Sequence, residues 1–279
     1  MIFLNFVNKK KLYYNSDDME ISKVYSVFFS ATFSTRKIIR EIVNKLGYDG
    51  IEYDITDNNP KETLQLRSDE LLVVGVPVYS GRVPEMAIER LNRIKGSDTP
   101  AIIVCVYGNR DFDDALIELK DIVRANGFVP FSGAAVIAQH SMLPQIAENR
   151  PDEKDMLLID DFAAKVKNMI VSLASVDASL NLYVKGNEPY RQRQNIPIHP
   201  SANNLCNKCG TCARLCPTGA ISSESLQKTD KNKCISCGRC IVVCPKKARN
   251  FRGLLYKLAS WKFKKSFSAR KEPSFFYLK

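Results

Sequence analysis

A chain of 279 residues with 45% hydrophobic side chains has room for a buried core and for more than one domain. Its net charge of +11 is uneven, with −3 on residues 1–199, +4 on 200–245 and +10 on 246–279, so the excess belongs to the C-terminal tail. Eight of the nine cysteines fall between 206 and 244, which argues against a disulfide scaffold spread along the chain and for thiolate chemistry in a reducing, oxygen-poor cytoplasm.

In chain order, Met1 to Val7 is apolar but too short to span a bilayer, and Lys9-Lys10-Lys11 follows it where an export signal would place its charge first. Residues 1–19 read as an N-terminal extension, with Met19 as an alternative start. From 20 to 176, apolar and β-branched runs at 24–29, 51–54, 71–76, 101–106 and 129–137 alternate with helical periodicity at 35–46, 84–94, 112–126 and 153–174. This is the pattern of an α/β, doubly wound, parallel five-stranded sheet of order 2-1-3-4-5, whose ligands sit beyond the carboxyl ends of the strands. Cys105 stands alone in such a run and reads as a buried strand residue.

Three loops lie at those strand ends. Ser30, Thr32, Ser34 and Thr35 lead directly into a helix and form either a phosphate cradle or an ordinary hydroxyl cap. The third strand runs into Pro77-Val78-Tyr79-Ser80-Gly81, and the fourth into Tyr107-Gly108-Asn109-Arg110-Asp111-Phe112. Each places glycine beside an aromatic, where a planar ring system can be sandwiched and its polar edge met by backbone groups, and together the three loops point to FMN. Asp111, Asp113 and Asp114 read as cap and helix-dipole partners, while His140 and His199 read as loop and linker residues.

Residues 177–204, with Gly186, Pro189, Pro197 and Pro200, read as a linker wrapping between domains. The segment 205–248 then repeats one pattern at an offset of 28 residues: Cys206, Cys209, Cys212 and Cys216 before Pro217, and Cys234, Cys237, Cys240 and Cys244 before Pro245. Two zinc sites or a set of disulfides would leave this doubled register unexplained. Three thiolates on one tight loop suit three irons of a cube, and the fourth cysteine of each run crosses to the other cube. Two [4Fe–4S] clusters follow, one on Cys206, Cys209, Cys212 and Cys244, the other on Cys234, Cys237, Cys240 and Cys216.

The tail, 249–279, reads as a basic amphipathic segment. Phe251, Leu254, Leu255, Leu258 and Trp261 recur at helical spacing with Lys257 and Lys262 outside the stripe. That stripe either packs on one of the domains or docks an acidic redox partner or an anionic membrane surface. No nucleic-acid reader motif accompanies the charge, so no specific nucleic-acid partner is expected.

The stretches Phe29 to Thr35, Gly75 to Pro84, Val106 to Arg110 with Asp113 to Leu116, Arg150 to Asp155 and both cysteine runs resemble the flavodoxin–ferredoxin fusion electron carriers of anaerobic bacteria and archaea, over about residues 20–248. The resemblance implies a flavodoxin-like domain followed by a small α+β two-cluster ferredoxin domain. It also implies that Ser30, Thr32, Ser34 and Thr35 take the FMN phosphate, the segment around Tyr79 one flavin face, and residues 107–112 the other face and the pyrimidine edge. In one departure, Phe33 occupies the position of a glycine in flavodoxin phosphate loops, and a bulky residue there calls for an ordinary backbone conformation. The implied function is electron transfer between FMN and the clusters, with protein redox donors and acceptors, in the cytoplasm or peripheral at the membrane. The alternatives are a flavin-dependent reductase of a small molecule or quinone fed through the clusters, and an iron–sulfur sensor or scaffold with a partner-binding tail.

Overall fold

The computed structural model describes residues 20–57, 62–172, 176, 179–194 and 196–278, so the N-terminal extension lies outside the described residues. Four apolar runs form the central strands β1 (Lys23–Phe28), β3 (Glu70–Pro77), β4 (Thr99–Tyr107) and β5 (Phe128–Ile137), and β2 (Gly50–Asp54) lies outside β1. Strands β3, β4 and β5 are buried almost without interruption, as expected of parallel strands covered on both faces. Helices α1 (Ser34–Leu46) and α4 (Glu153–Ser172) close one face through Ile38, Ile39, Ile42, Phe162 and Val166. Helices α2 (Glu85–Leu91) and α3 (Ala115–Ala125) close the other through Ala87, Leu91, Leu116, Leu119 and Val123. The parallel order is 2-1-3-4-5, a flavodoxin-like sheet whose carboxyl strand ends all open on one side.

The sheet has six strands, not five. Strand β6 (Ser274–Tyr277), from the end of the chain, adds antiparallel to β5 with Phe275 opposite Ala134. Its side chains alternate, Phe275 and Tyr277 packing on the α1/α4 face and Phe276 on the other. The Phe275 ring stacks on Phe162 with centroids 4.9 Å apart. The basic tail therefore ends as a sheet edge.

The linker is strapped to the first unit. Leu182 and Val184 are buried in its core, Asp114 accepts the Asn187 and Arg191 N–H groups, and Arg193 pairs with Glu118. The second unit holds two four-residue helices, α5 (Thr211–Arg214) and α6 (Arg239–Val242), and a short ladder of 201–202 with 249–250. Its apolar core is little more than Cys212, Ile221 and Cys240.

Helix α7 (Leu254–Phe267) corrects one expectation about the tail. The stripe read from the sequence points outward, apart from Phe251, which is buried. Tyr256, Ser260, Phe263 and Phe267, on the opposite side, fasten the helix. Tyr256 Oη donates to Met142 O at 2.9 Å, Gln145 Nε2 reaches Ser260 Oγ, and Phe263 meets the His140 ring edge-on at 5.1 Å.

Candidate functional site

Two cavities in the second unit divide the eight cysteines. One is lined by Cys206, Cys209, Cys212 and Cys244, the other by Cys216, Cys234, Cys237 and Cys240. Each thus takes three thiols from its own loop and one from the other run. Backbone N–H groups already face sulfur: Ala220 to Cys216 at 3.3 Å, Ser236 to Cys234 at 3.4 Å and Ala248 to Cys244 at 3.3 Å. The Thr211 hydroxyl lowers the pKa of Cys209, whereas burial pushes Cys237 up to about 12 and Cys240 up to about 11. Such buried thiols become thiolates only against a positive core, so ligation and deprotonation occur together. Among the described residues no group of three His, Cys, Asp or Glu is set to hold a single metal ion. The donor set and its N–H groups fit a cubane in each cavity.

Arg249 is the cation between the two cavities. It is 2% exposed and lines the first cavity, with Nη1 4.0 Å from Cys212 Sγ, and it also opposes the burial-driven rise in the Cys240 pKa. Its hydrogen bonds go to the Leu226 and Pro200 carbonyls and the Thr229 hydroxyl.

A cleft at the carboxyl ends of β1, β3, β4 and β5 is the second site. Thr32, Ser34, Thr35, Pro77, Val78, Tyr79, Ser80, Tyr107 and Gly108 line it. Phe33, at the N-cap of α1, offers no capping side chain, and Ser30 Oγ accepts the Arg36 N–H of the first turn at 3.0 Å. Thr32, Ser34 and Thr35 line the cleft beside this helix start, where the remaining first-turn N–H groups also lie. Phe33 overturns the expected backbone: at φ 68° it takes the left-handed conformation a glycine would supply, with its ring 44% exposed.

Tyr79 is held over the cleft by a tight turn, with Tyr79 N donating to Arg82 O at 3.0 Å and Arg82 N to Tyr79 O at 3.1 Å. Ser80 and Gly81 both have positive φ, 54° and 81°, as a primed hairpin turn requires. Burial, and secondarily the Cys237 thiol, raise the pKa of Tyr79 well above the ordinary phenol value. Gly108 is a close approach, since a Cβ there would stand 2.6 Å from the His140 ring.

The remaining expected flavin residues are placed differently. Ser30 is buried and supports the loop, its N–H donating to Thr56 Oγ1 at 2.7 Å. Gly81 turns the chain against Asp113 and Arg191. Asn109 clamps the tail, with Nδ2 donating to Phe267 O and Ala269 O at 2.8 Å. Arg110 pairs with Asp113, and Phe112 is core, 5.6 Å from the Tyr107 ring. Cys105 is fully buried in β4.

The sequence reading missed the rest of the wall. Gln139, His140, Ser141 and Met142 follow β5, while Ile196, Ile235 and Ser236 come from the linker and the second unit. The first group was available from the same strand-end rule applied to the fifth strand. His140 is a cleft wall, not only a loop residue. Its Nδ1 accepts the Met142 and Leu143 N–H groups, and burial lowers its pKa to about 4. Arg239 also went unread: it is buried, and its Nη1 donates to Ser30 O and Ala31 O at 3.3 Å.

Residues 205–249 match the family model of the 4Fe-4S dicluster domain, and they form such a domain here. Among solved structures, the first unit resembles a flavodoxin from the domain Archaea at 13% identity, over 53% of this chain and 98% of that one, with a TM-score of 0.37. It also resembles Fusobacterium nucleatum flavodoxin bound to flavin mononucleotide (18%, 53% and 98%, 0.38) and oxidised flavodoxin 2 from Bacillus cereus (13%, 53% and 99%, 0.40). No curated protein sequence matches the chain. The flavodoxin-like class of the first unit rests on its own strand order.

Proposed function

We propose that this protein is an electron carrier in which FMN in the cleft and two [4Fe–4S] clusters in the second unit exchange low-potential electrons within one chain. One observation carries the reading: Ile235, between Cys234 and Cys237, lines both the cleft and the second thiol cavity. When bound, the flavin supplies paired or single electrons and each cluster one electron at a time. Thr32, Ser34 and Thr35 with the start of α1 would hold the phosphate, and Ser30 would fix the loop behind them. Pro77, Val78, Tyr79, Tyr107 and Gly108 would bed the ring. Cys206, Cys209, Cys212 and Cys244 would hold one cluster, and Cys216, Cys234, Cys237 and Cys240 the other.

His140 Nδ1 accepts two backbone N–H groups, which holds the ring in place as part of the cleft wall. Donor and acceptor are other redox proteins, met in the reducing cytoplasm that thiolate ligands suit.

Anaerobic purification with iron, sulfide and flavin analysis, followed by reductive titration, tests the proposal. The expected result is about eight irons and one FMN per chain, reversible uptake of electrons by both chromophores, and no multiple turnover of small acceptors. Zinc in place of iron, or no flavin retained after reconstitution and filtration, overturns it.

A further inference from the structure

We propose that the outward face of α7 docks this protein on an anionic lipid bilayer, with Leu254, Leu258 and Trp261 in the interfacial layer and the flanking lysines over the lipid phosphates. The observations behind this do not depend on which cofactors are bound. Helix α7 has two apolar faces, and one is already used: Tyr256, Phe263 and Phe267 hold it to the Met142, His140 and Asn109 loops. The other face is left outside. Leu254 is 73% exposed, Leu258 57% and Trp261 68%, with Leu255 beside them. At about 100° per residue Trp261, Leu254 and Leu258 fall within roughly 60° of one another, a continuous ridge along the helix.

Charge selects the occupant. Lys257 and Lys264 border the ridge on one side and Lys262 on the other, while Lys265 lies along it over the Trp261 ring. Among the described residues none of these four lysines meets a carboxylate. Glu272, the one acid after residue 245, is paired with Arg270. Lys246, Lys247 and Arg252 add exposed positive charge just before the helix.

A second copy of the chain would set lysine against lysine. A bilayer with anionic headgroups supplies apolar depth for a convex ridge and negative charge for both flanks at once, and tryptophan and lysine suit that boundary. No helix among the described residues is long and apolar enough to cross a membrane, so the contact is one of surface and not of span.

The test is co-sedimentation of the full-length, cofactor-loaded protein with vesicles of phosphatidylcholine alone or mixed with phosphatidylglycerol. The expected result is at least tenfold stronger partition into the mixed vesicles, weakened by salt, with the emission of Trp261, the single tryptophan, shifted to the blue. The exposed pair Leu258→Gln with Trp261→Gln, and separately Lys257→Gln with Lys262→Gln, Lys264→Gln and Lys265→Gln, should each lose at least tenfold while keeping the visible spectrum. Equal partition into both vesicle types, no partition at 0.1 M salt, or full binding by the Leu258→Gln/Trp261→Gln variant overturns the proposal. So does a blue shift that follows protein concentration without vesicles, which would indicate self-association.

Discussion

The guanidinium of Arg239 lies 4.5 Å from the centroid of the Phe33 ring, joining the residue before Cys240 to the residue that opens α1. The same side chain hydrogen-bonds the Ser30 and Ala31 carbonyls. The loop expected to hold phosphate is thus braced by a cation from the unit that holds the thiols.

Arg239→Met should weaken flavin retention roughly tenfold, about 1.4 kcal/mol, by removing a cation–π contact and two charge-assisted hydrogen bonds. Iron content should stay at the wild-type level, because Arg239 lines the second cavity without supplying a thiol. Flavin dissociation followed by fluorescence, with iron analysis on the same sample, checks both halves.

Phe33→Gly and Phe33→Ala both delete the ring, but only glycine relieves the left-handed backbone at φ 68°. The Phe33→Gly variant should be more stable than Phe33→Ala by about 1 kcal/mol. Chemical denaturation of the loaded proteins measures the difference.

Replacing Arg249 with Leu removes a buried cation beside Cys212 and Cys240. Adding an electron then becomes less favourable, so the cluster potentials should move negative by tens of millivolts, on the order of 1 kcal/mol. The exposed Arg252→Leu should leave them unchanged. Potentiometric titration monitored by electron paramagnetic resonance reads both.

His140, with its pKa lowered to about 4 against an ordinary value near 6.5, binds its proton more readily in the unfolded chain. Its contribution to stability is therefore present above pH 6.5 and is lost as pH falls toward 4, with a full effect of about 3 kcal/mol. His140→Gln should flatten the slope of unfolding free energy between pH 7 and 5, measured within minutes of each pH change.

Cys105→Ala should leave iron and sulfide stoichiometry unaltered, since Cys105 is buried in β4 and away from both thiol cavities. Cys240→Ala should lose the iron of one cluster. Elemental analysis distinguishes the two.

The parallel strands were legible because each is an apolar run flanked by helical periodicity, and the eight cysteines because their spacing repeats without error. Periodicity alone could not say which face of α7 is inside, since Leu254, Leu258 and Trp261 and the set of Tyr256, Phe263 and Phe267 both recur at helical spacing. The strand Ser274–Tyr277 was hidden by its length and by the basic residues before it. Arg239 could not be placed on Ser30, because a contact over 209 positions leaves no local trace. Phe33 was misjudged for a related reason: the ring's contact with Arg239 helps to hold a backbone conformation that phenylalanine disfavours on its own.

Strand β6 makes the thiol-bearing unit an insertion. The chain leaves the flavodoxin-like sheet through the strapped linker and returns to it as β6, so that unit is tethered at two points. A single proteolytic nick in the linker would leave it attached, since Arg239 and β6 still hold it to the flavodoxin-like unit. Electrons exchanged between the two proposed cofactor sites would then cross a fixed distance, at a rate indifferent to solvent viscosity.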